Sequence, residues 1–153
     1  MILNNEDLKK KINIWRSDNK KIVFTNGCFD LLHQGHVDLL KQAKSFGDVL
    51  IVGLNSDLSI KKLKGQNRPI ENLKIRSKNL WDLGFISSII PFNSNTPIDL
   101  IKFINPDFLI KGGDYNIDDI IGSKFVKSMG GIVKIIPITP GFSTTKKIQK
   151  MGL

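Results

Sequence analysis

Residues 25–40 read TNGCFDLLHQGHVDLL, and this stretch decides the fold. A short apolar run, Lys21 to Thr25 (KIVFT), stands before it, and a helical pattern from Gly35 to Phe46 follows, with Val37, Leu39, Leu40 and Ala43 facing inward. A strand therefore hands over to a helix here. The junction carries both histidines of the chain, His33 and His36, around Gly35. Three readings are open at this point: a phosphate site for a nucleotide, a metal site, or two ordinary histidines near a helix start.

Outward from this junction the pattern repeats. Apolar runs at Asp48–Ser56, 84–92 (GFISSIIPF), 106–113 (PDFLIKGG) and 131–138 (GIVKIIPI) read as further buried strands. Helical spacing falls at Glu6–Trp15, Leu73–Leu83, Pro97–Ile104 and Ile117–Met129, and a last short helix is expected from Ser143. Continuous apolar strands alternating with amphipathic helices give an α/β fold, a Rossmann-like doubly wound parallel sheet with right-handed crossovers. The expected organisation is one domain over residues 1–153, with 1–19 as an N-terminal helical extension packed on its outside. In such sheets ligands sit beyond the carboxyl ends of the strands, where strand order reverses. The polar motifs NGCFD, NSD and KGGDY each follow a strand, as that rule requires.

With 153 residues and 41% hydrophobic content, the chain can bury a core of its own. No apolar run approaches the roughly 18 residues that span a bilayer, and the N-terminus places charges where a leader peptide needs its apolar centre. A single cysteine, Cys28, cannot build an internal disulfide framework. A cytoplasmic protein without a membrane partner is expected. The net charge of +9 raises nucleic acid as a partner. However, 20 of the 23 basic residues are lysines spread along the chain, which is not a binding stripe. No nucleic acid is expected, because a polyphosphate ligand would use the same positive field.

The phosphate reading of the junction has a physical basis. A helix N-terminus offers unpaired N–H groups and a partial positive charge. Gly27 and Gly35 let backbone and ligand approach closely, and the two imidazoles can donate to phosphate oxygens more strongly as charge builds in a transition state. The metal reading lacks a standard ligand set, since Asp30 and Asp38 do not complete one.

The stretch NGCFDLLHQGHVDLL resembles the signature of the cytidylyltransferase-like nucleotidyltransferases, in which an HxGH element opens the first helix. The family's second signature, a Ser/Thr cluster at the start of a late helix, has its counterpart in GFSTTKKI at 141–148. The terminal arginine of that motif is Ile148 here, with Lys146 and Lys147 beside it. The stretches GLNSDLSIKKLKGQNRPI, LIKGGDYNIDDIIGSKFVKSMGGIV and FSTTKKI are similar to the adenylyltransferase domain of the ADP-heptose synthase family, a branch in which that arginine is commonly apolar.

The resemblance implies transfer of AMP from ATP, with Mg²⁺, to D-glycero-β-D-manno-heptose 1-phosphate. Its neighbours are a cytidylyltransferase acting on glycerol 3-phosphate or another small phosphorylated alcohol, and a nucleotide-binding module without catalysis. It implies that His33, His36 and Lys64 are catalytic. It places Asn26, Gly27, Cys28, Phe29, Gly35, Arg76, Lys111, Gly112, Ser143, Thr144 and Thr145 on the nucleotide. Asp30, Asp57, Arg68 and Asp114 fall to the acceptor, and no protein metal ligand is implied. A homo-oligomer is implied as well. The length leaves no room for the sugar kinase to which such domains are often fused, so a separate protein is expected to supply the 1-phosphate.

Several of these residues also have blander readings. Gly112 and Gly113 allow a tight turn, Asp57 can cap a helix, and the run Lys61, Lys62, Lys64 can be a solvated surface. Arg16, Arg68 and Arg76 are the only arginines in a lysine-rich chain. A bidentate fork is not replaced by an ammonium where it grips phosphate. Arg76 matches the family's E-x-R element, although Lys74 stands at the acidic position.

Overall fold

The computed structural model describes residues 2–138, 141 and 143–152. Five parallel strands, β1 (Ile22–Gly27), β2 (Val49–Asn55), β3 (Ser88–Phe92), β4 (Phe108–Gly112) and β5 (Ile132–Ile136), form one sheet in the order β3-β2-β1-β4-β5. This is the doubly wound arrangement expected, with its reversal between β1 and β4.

The side-chain alternation of β1 and β2 divides the core. Ile22, Phe24 and Ile51 pack with Leu8, Ile12, Ile101 and Val126 on one face; Val23, Leu50 and Val52 pack with Leu40, Leu80 and Ile89 on the other. Each such side chain contributes about 1.5–3 kcal/mol by leaving water, which is why residues 22–24 and 49–52 are apolar without interruption.

The helices are α1 (Asn5–Ser17), α2 (Gln34–Ser45), α3 (Asp57–Lys64), α4 (Leu73–Trp81), α5 (Ile98–Ile104), α6 (Ser123–Ser128) and α7 (Thr144–Lys150). The segment expected as an N-terminal extension contributes Leu8 and Ile12 to the core. Arg16 fastens it, pairing with Asp107 at 2.6 Å and donating to the Asn105 carbonyl.

Two helices differ from expectation. Ile117–Met129 is not one helix but a 3₁₀ turn, Ile117–Asp119, followed by α6. Gly122 breaks it at φ +88°, and a Cβ there would lie 2.7 Å from Ile101 Cδ1. Conversely, the lysine run after NSD is helical. Ser56 caps α3 through the Ser59 N–H, and the lysines collect in its last turn, where the helix dipole favours cations.

The β1–β4 ladder consists of Val23↔Phe108 and Phe24↔Leu109. Beyond it the Thr25 hydroxyl donates to the Ile110 carbonyl at 2.9 Å. A side chain thus takes over from backbone pairing, and a crevice opens between the carboxyl ends of the two strands.

Candidate functional site

The floor of the crevice is the loop leaving β1. Phe29 and Leu31 both adopt φ +50°, a left-handed backbone that costs a non-glycine residue about 1 kcal/mol or more. Contacts from three sides hold it. The Asp30 carboxylate accepts from Arg68 Nε (3.2 Å) and from the backbone N–H groups of Ile70 (2.8 Å) and Glu71 (2.9 Å), while the Leu31 N–H donates to Glu71 (2.9 Å). From α7, the Thr144 hydroxyl donates to the Asp30 carbonyl and Lys147 to the Leu32 carbonyl, each at 2.8 Å. From below, Arg76 donates to the Cys28 carbonyl at 2.9 Å.

The two histidines form a reciprocal cap at the head of α2. His33 Nδ1 accepts from the His36 N–H (3.3 Å), and His36 Nδ1 accepts from the His33 N–H (3.2 Å). This is the geometry of a capping box with imidazoles in place of Ser and Glu. The rings stack at 3.6 Å between centroids and 19° between planes. Because Nδ1 is the acceptor in each ring, the proton resides on Nε2.

Burial, reinforced by mutual repulsion and by Lys147 and Lys64, holds His36 down to about pKa 3; burial and Lys147 also lower His33. At neutral pH the pair therefore presents two uncharged Nε2–H donors in a fixed tautomer. The backbone N–H groups of Gln34 and Gly35, in the first turn of α2, add two more without intrahelical acceptors.

The crevice has two lobes. The first, about 410 Å³, lies between α2 and α7 and is lined by His33, Gly35, Gly112, Ser143 and Thr145. The second, about 360 Å³, lies toward α3 and is lined by Arg68, Asp30, Asn55, Phe92 and Asn95. They meet over Asn26, Gly27, Cys28 and Phe29, with His36, Lys64, Lys111 and Thr144 lining both.

Three of the predicted residues stand elsewhere. Arg76 lies beneath the site rather than in it: it is fully buried and donates to the carbonyls of Glu71, Cys28 and Asn55 and to Asp57 at 2.7 Å. Its guanidinium is consumed in tying α3 and α4 to the loop. Asp57 is its counter-ion, and Asp114 is exposed and lines neither lobe. Asp30 borders the second lobe with its carboxylate already engaged. The structure adds residues that sequence reasoning missed: Glu71, which carried no signal, and Asn55, which sits within NSD.

Cys28 lines both lobes as a thiol, because burial raises its pKa above the ordinary value. Among the described residues no cluster of His, Cys, Asp and Glu could hold a metal ion, and no helix is long and apolar enough to cross a membrane.

Residues 24–150 match the sequence profile of a family described as cytidylyltransferase-like. The chain is 46% identical over 149 residues to the bifunctional protein HldE of Koribacter versatilis, covering 97% of this chain and 31% of that protein. It is 47% identical over 152 residues to HldE of Marinomonas sp., covering 99% and 32%. It thus spans about a third of the length of the curated relatives it matches.

Among solved structures, the lipopolysaccharide core biosynthesis protein of Thermoplasma volcanium superposes with a TM-score of 0.63 at 28% identity, over 78% of this chain and 97% of that one. Pantoate-beta-alanine ligase of Francisella tularensis, at 19% identity and TM-score 0.60 over 96% and 72%, shares the fold. The chain belongs to the cytidylyltransferase-like family of nucleotidyltransferases.

Proposed function

We infer that the protein transfers AMP from MgATP to D-glycero-β-D-manno-heptose 1-phosphate, yielding ADP-heptose and pyrophosphate. The observation that carries the chemistry is the reciprocal histidine cap, which fixes two neutral Nε2–H donors at the crevice where strand order reverses. The sugar acceptor is supported by the KGGDY and LKG stretches and by the likeness to a lipopolysaccharide core biosynthesis protein.

The polyphosphate belongs in the first lobe, where the head of α2 and the Ser143–Thr145 hydroxyls converge. The acceptor enters the second. An oxygen of its phosphomonoester, already ionised near neutral pH, attacks the α-phosphorus. The bond from that phosphorus to the bridging oxygen breaks, and pyrophosphate departs with the electron pair.

No general base is needed, which suits histidines held below their usual pKa. Their Nε2–H groups stabilise the charge that develops on the phosphate oxygens, and Lys64, on the exposed end of α3, closes over it. Mg²⁺ would come with the nucleotide and supply charge neutralisation on its phosphates; among the described residues Asp30 is the carboxylate that borders the lobes, and it is already engaged. The reading includes a homo-oligomer acting in the cytoplasm.

Incubation with MgATP and the heptose 1-phosphate should release pyrophosphate. Turnover with CTP and glycerol 3-phosphate instead would move the protein to the neighbouring activity, and nucleotide binding without any turnover would reduce it to a binding module.

A further inference from the structure

KGGDY, at 111–115, is only partly accounted for by the transfer of AMP. Its aspartate is exposed, yet its lysine lines both lobes and also a side pocket of about 200 Å³ that includes Asn26, Pro97, Tyr115 and Ile121. Lys111 is the last residue but one of β4, so its backbone is fixed by pairing with Ile135. Lys64, the other lysine at the junction, sits instead at the exposed end of a helix.

The ammonium of Lys111 lies 5.6 Å from the centre of the Tyr115 ring. One glycine makes that contact possible. Gly113 turns the chain at φ +127°, and a Cβ there would stand 2.8 Å from Tyr115 Cε2. The turn thus folds the tyrosine back over the lysine soon after the chain leaves the strand.

Lys111 is half-buried and forms no ion pair with any described carboxylate. A cation in that position is destabilised until an anion arrives, and burial indeed lowers its pKa. The first lobe already has two imidazoles, a helix N-terminus and the hydroxyl groups of Ser143 and Thr145 for the polyphosphate. The second has Arg68, whose Nε is occupied by Asp30.

The geometry points to Lys111, steadied by the face of Tyr115, as the residue that holds the acceptor's phosphomonoester beside the α-phosphorus. This rests on the nucleotidyl-transfer reading above. Lys111 is then a substrate-contacting residue and Tyr115 a positioning residue, with Gly113 kept for the ring it seats.

The test is calorimetric titration with two probes: α,β-methylene ATP alone, and D-glycero-β-D-manno-heptose 1-phosphate added to the analogue-saturated protein, with glycerol 3-phosphate as a second phosphomonoester. K111M should weaken phosphomonoester binding by about tenfold or more, the effect of a lost charge-assisted contact, and leave the analogue's affinity unchanged. Unchanged analogue binding also shows that the variant is folded. Y115F should behave as wild type, and Y115L should lose about two- to fivefold on the phosphomonoester only.

K111M that loses the analogue, or that keeps full phosphomonoester affinity, overturns the assignment. Wild-type protein that binds the analogue but neither phosphomonoester overturns the assignment together with the acceptor half of the proposed function. Binding of glycerol 3-phosphate alone replaces the heptose acceptor and leaves Lys111 to be judged on that probe.

Discussion

The histidine pair does two jobs with different atoms, and substitution can separate them. Nδ1 of each ring caps α2, and in the proposed reaction Nε2–H of each meets the phosphate oxygens. Asn is among the best N-cap residues and places an acceptor near Nδ1, while Gln is the ordinary partner at the third position of a capping box. H33N/H36Q therefore rewrites the cap in conventional residues and deletes both Nε2–H donors.

Its melting temperature should stay close to that of the parent. H33A, which loses a cap worth about 1 kcal/mol, should melt about 2–4 °C lower. Activity should sort the other way. Each preorganised donor aimed at transition-state charge is worth about 2.7–4 kcal/mol, or 10²–10³ in kcat. H33N alone should thus fall as far as H33A despite its intact helix, with the KM for ATP changing far less.

Pyrophosphate release and thermal melts on the same preparations read both quantities. An H33N enzyme with near-parental kcat would mean that the imidazole serves only as a cap, and the transition-state role assigned here would be refuted.

Arg76 predicts the opposite split. R76K leaves the carbonyls of Cys28 and Asn55 and the Asp57 carboxylate short of partners, so denaturant titration should show a loss of about 3 kcal/mol or more; an equally stable variant would refute the view that this fork ties α3 and α4 to the loop. Acid sensitivity follows from the depressed histidines. With folded-state pKa values below the ordinary 6.5, their contribution is complete above pH 6.5. It falls as pH drops from 6.5 toward 3, by roughly 1 kcal/mol per unit for His36. H36Q should flatten that limb in melts at pH 7, 5 and 4, and an unaltered slope would place the titration elsewhere. In G27A the new Cβ would lie 3.0 Å from Phe29 Cε2, and that ring sits edge-on to His36 at 5.3 Å. A fall in kcat of about tenfold is expected from the displaced imidazole, read by steady-state kinetics, and unchanged kcat would uncouple Phe29 from the site.

The sequence by itself determined the architecture, the strand-to-helix junction and the residue types that converge there. These are local matters: apolar periodicity fixes element type, a continuous apolar strand demands cover on both faces, and HxGH with STT marks two helix starts. Even so, α3 showed only as a candidate cap at Asp57, because its lysines read as a solvated run, and the break at Gly122 comes with a left-handed backbone that helical spacing does not reveal. Which arginine lines the crevice was equally out of reach. All three pair with an aspartate in space, Arg16 with Asp107, Arg68 with Asp30 and Arg76 with Asp57, and only their place in the fold separates the fork that lines the crevice from the forks that brace it. Tertiary structure decided that burial and Lys147 lower the pKa of both histidines, and that Lys111 stands where the two lobes meet. Desolvation and the field around a charge depend on groups that the fold brings together from distant parts of the chain, which local pattern does not specify.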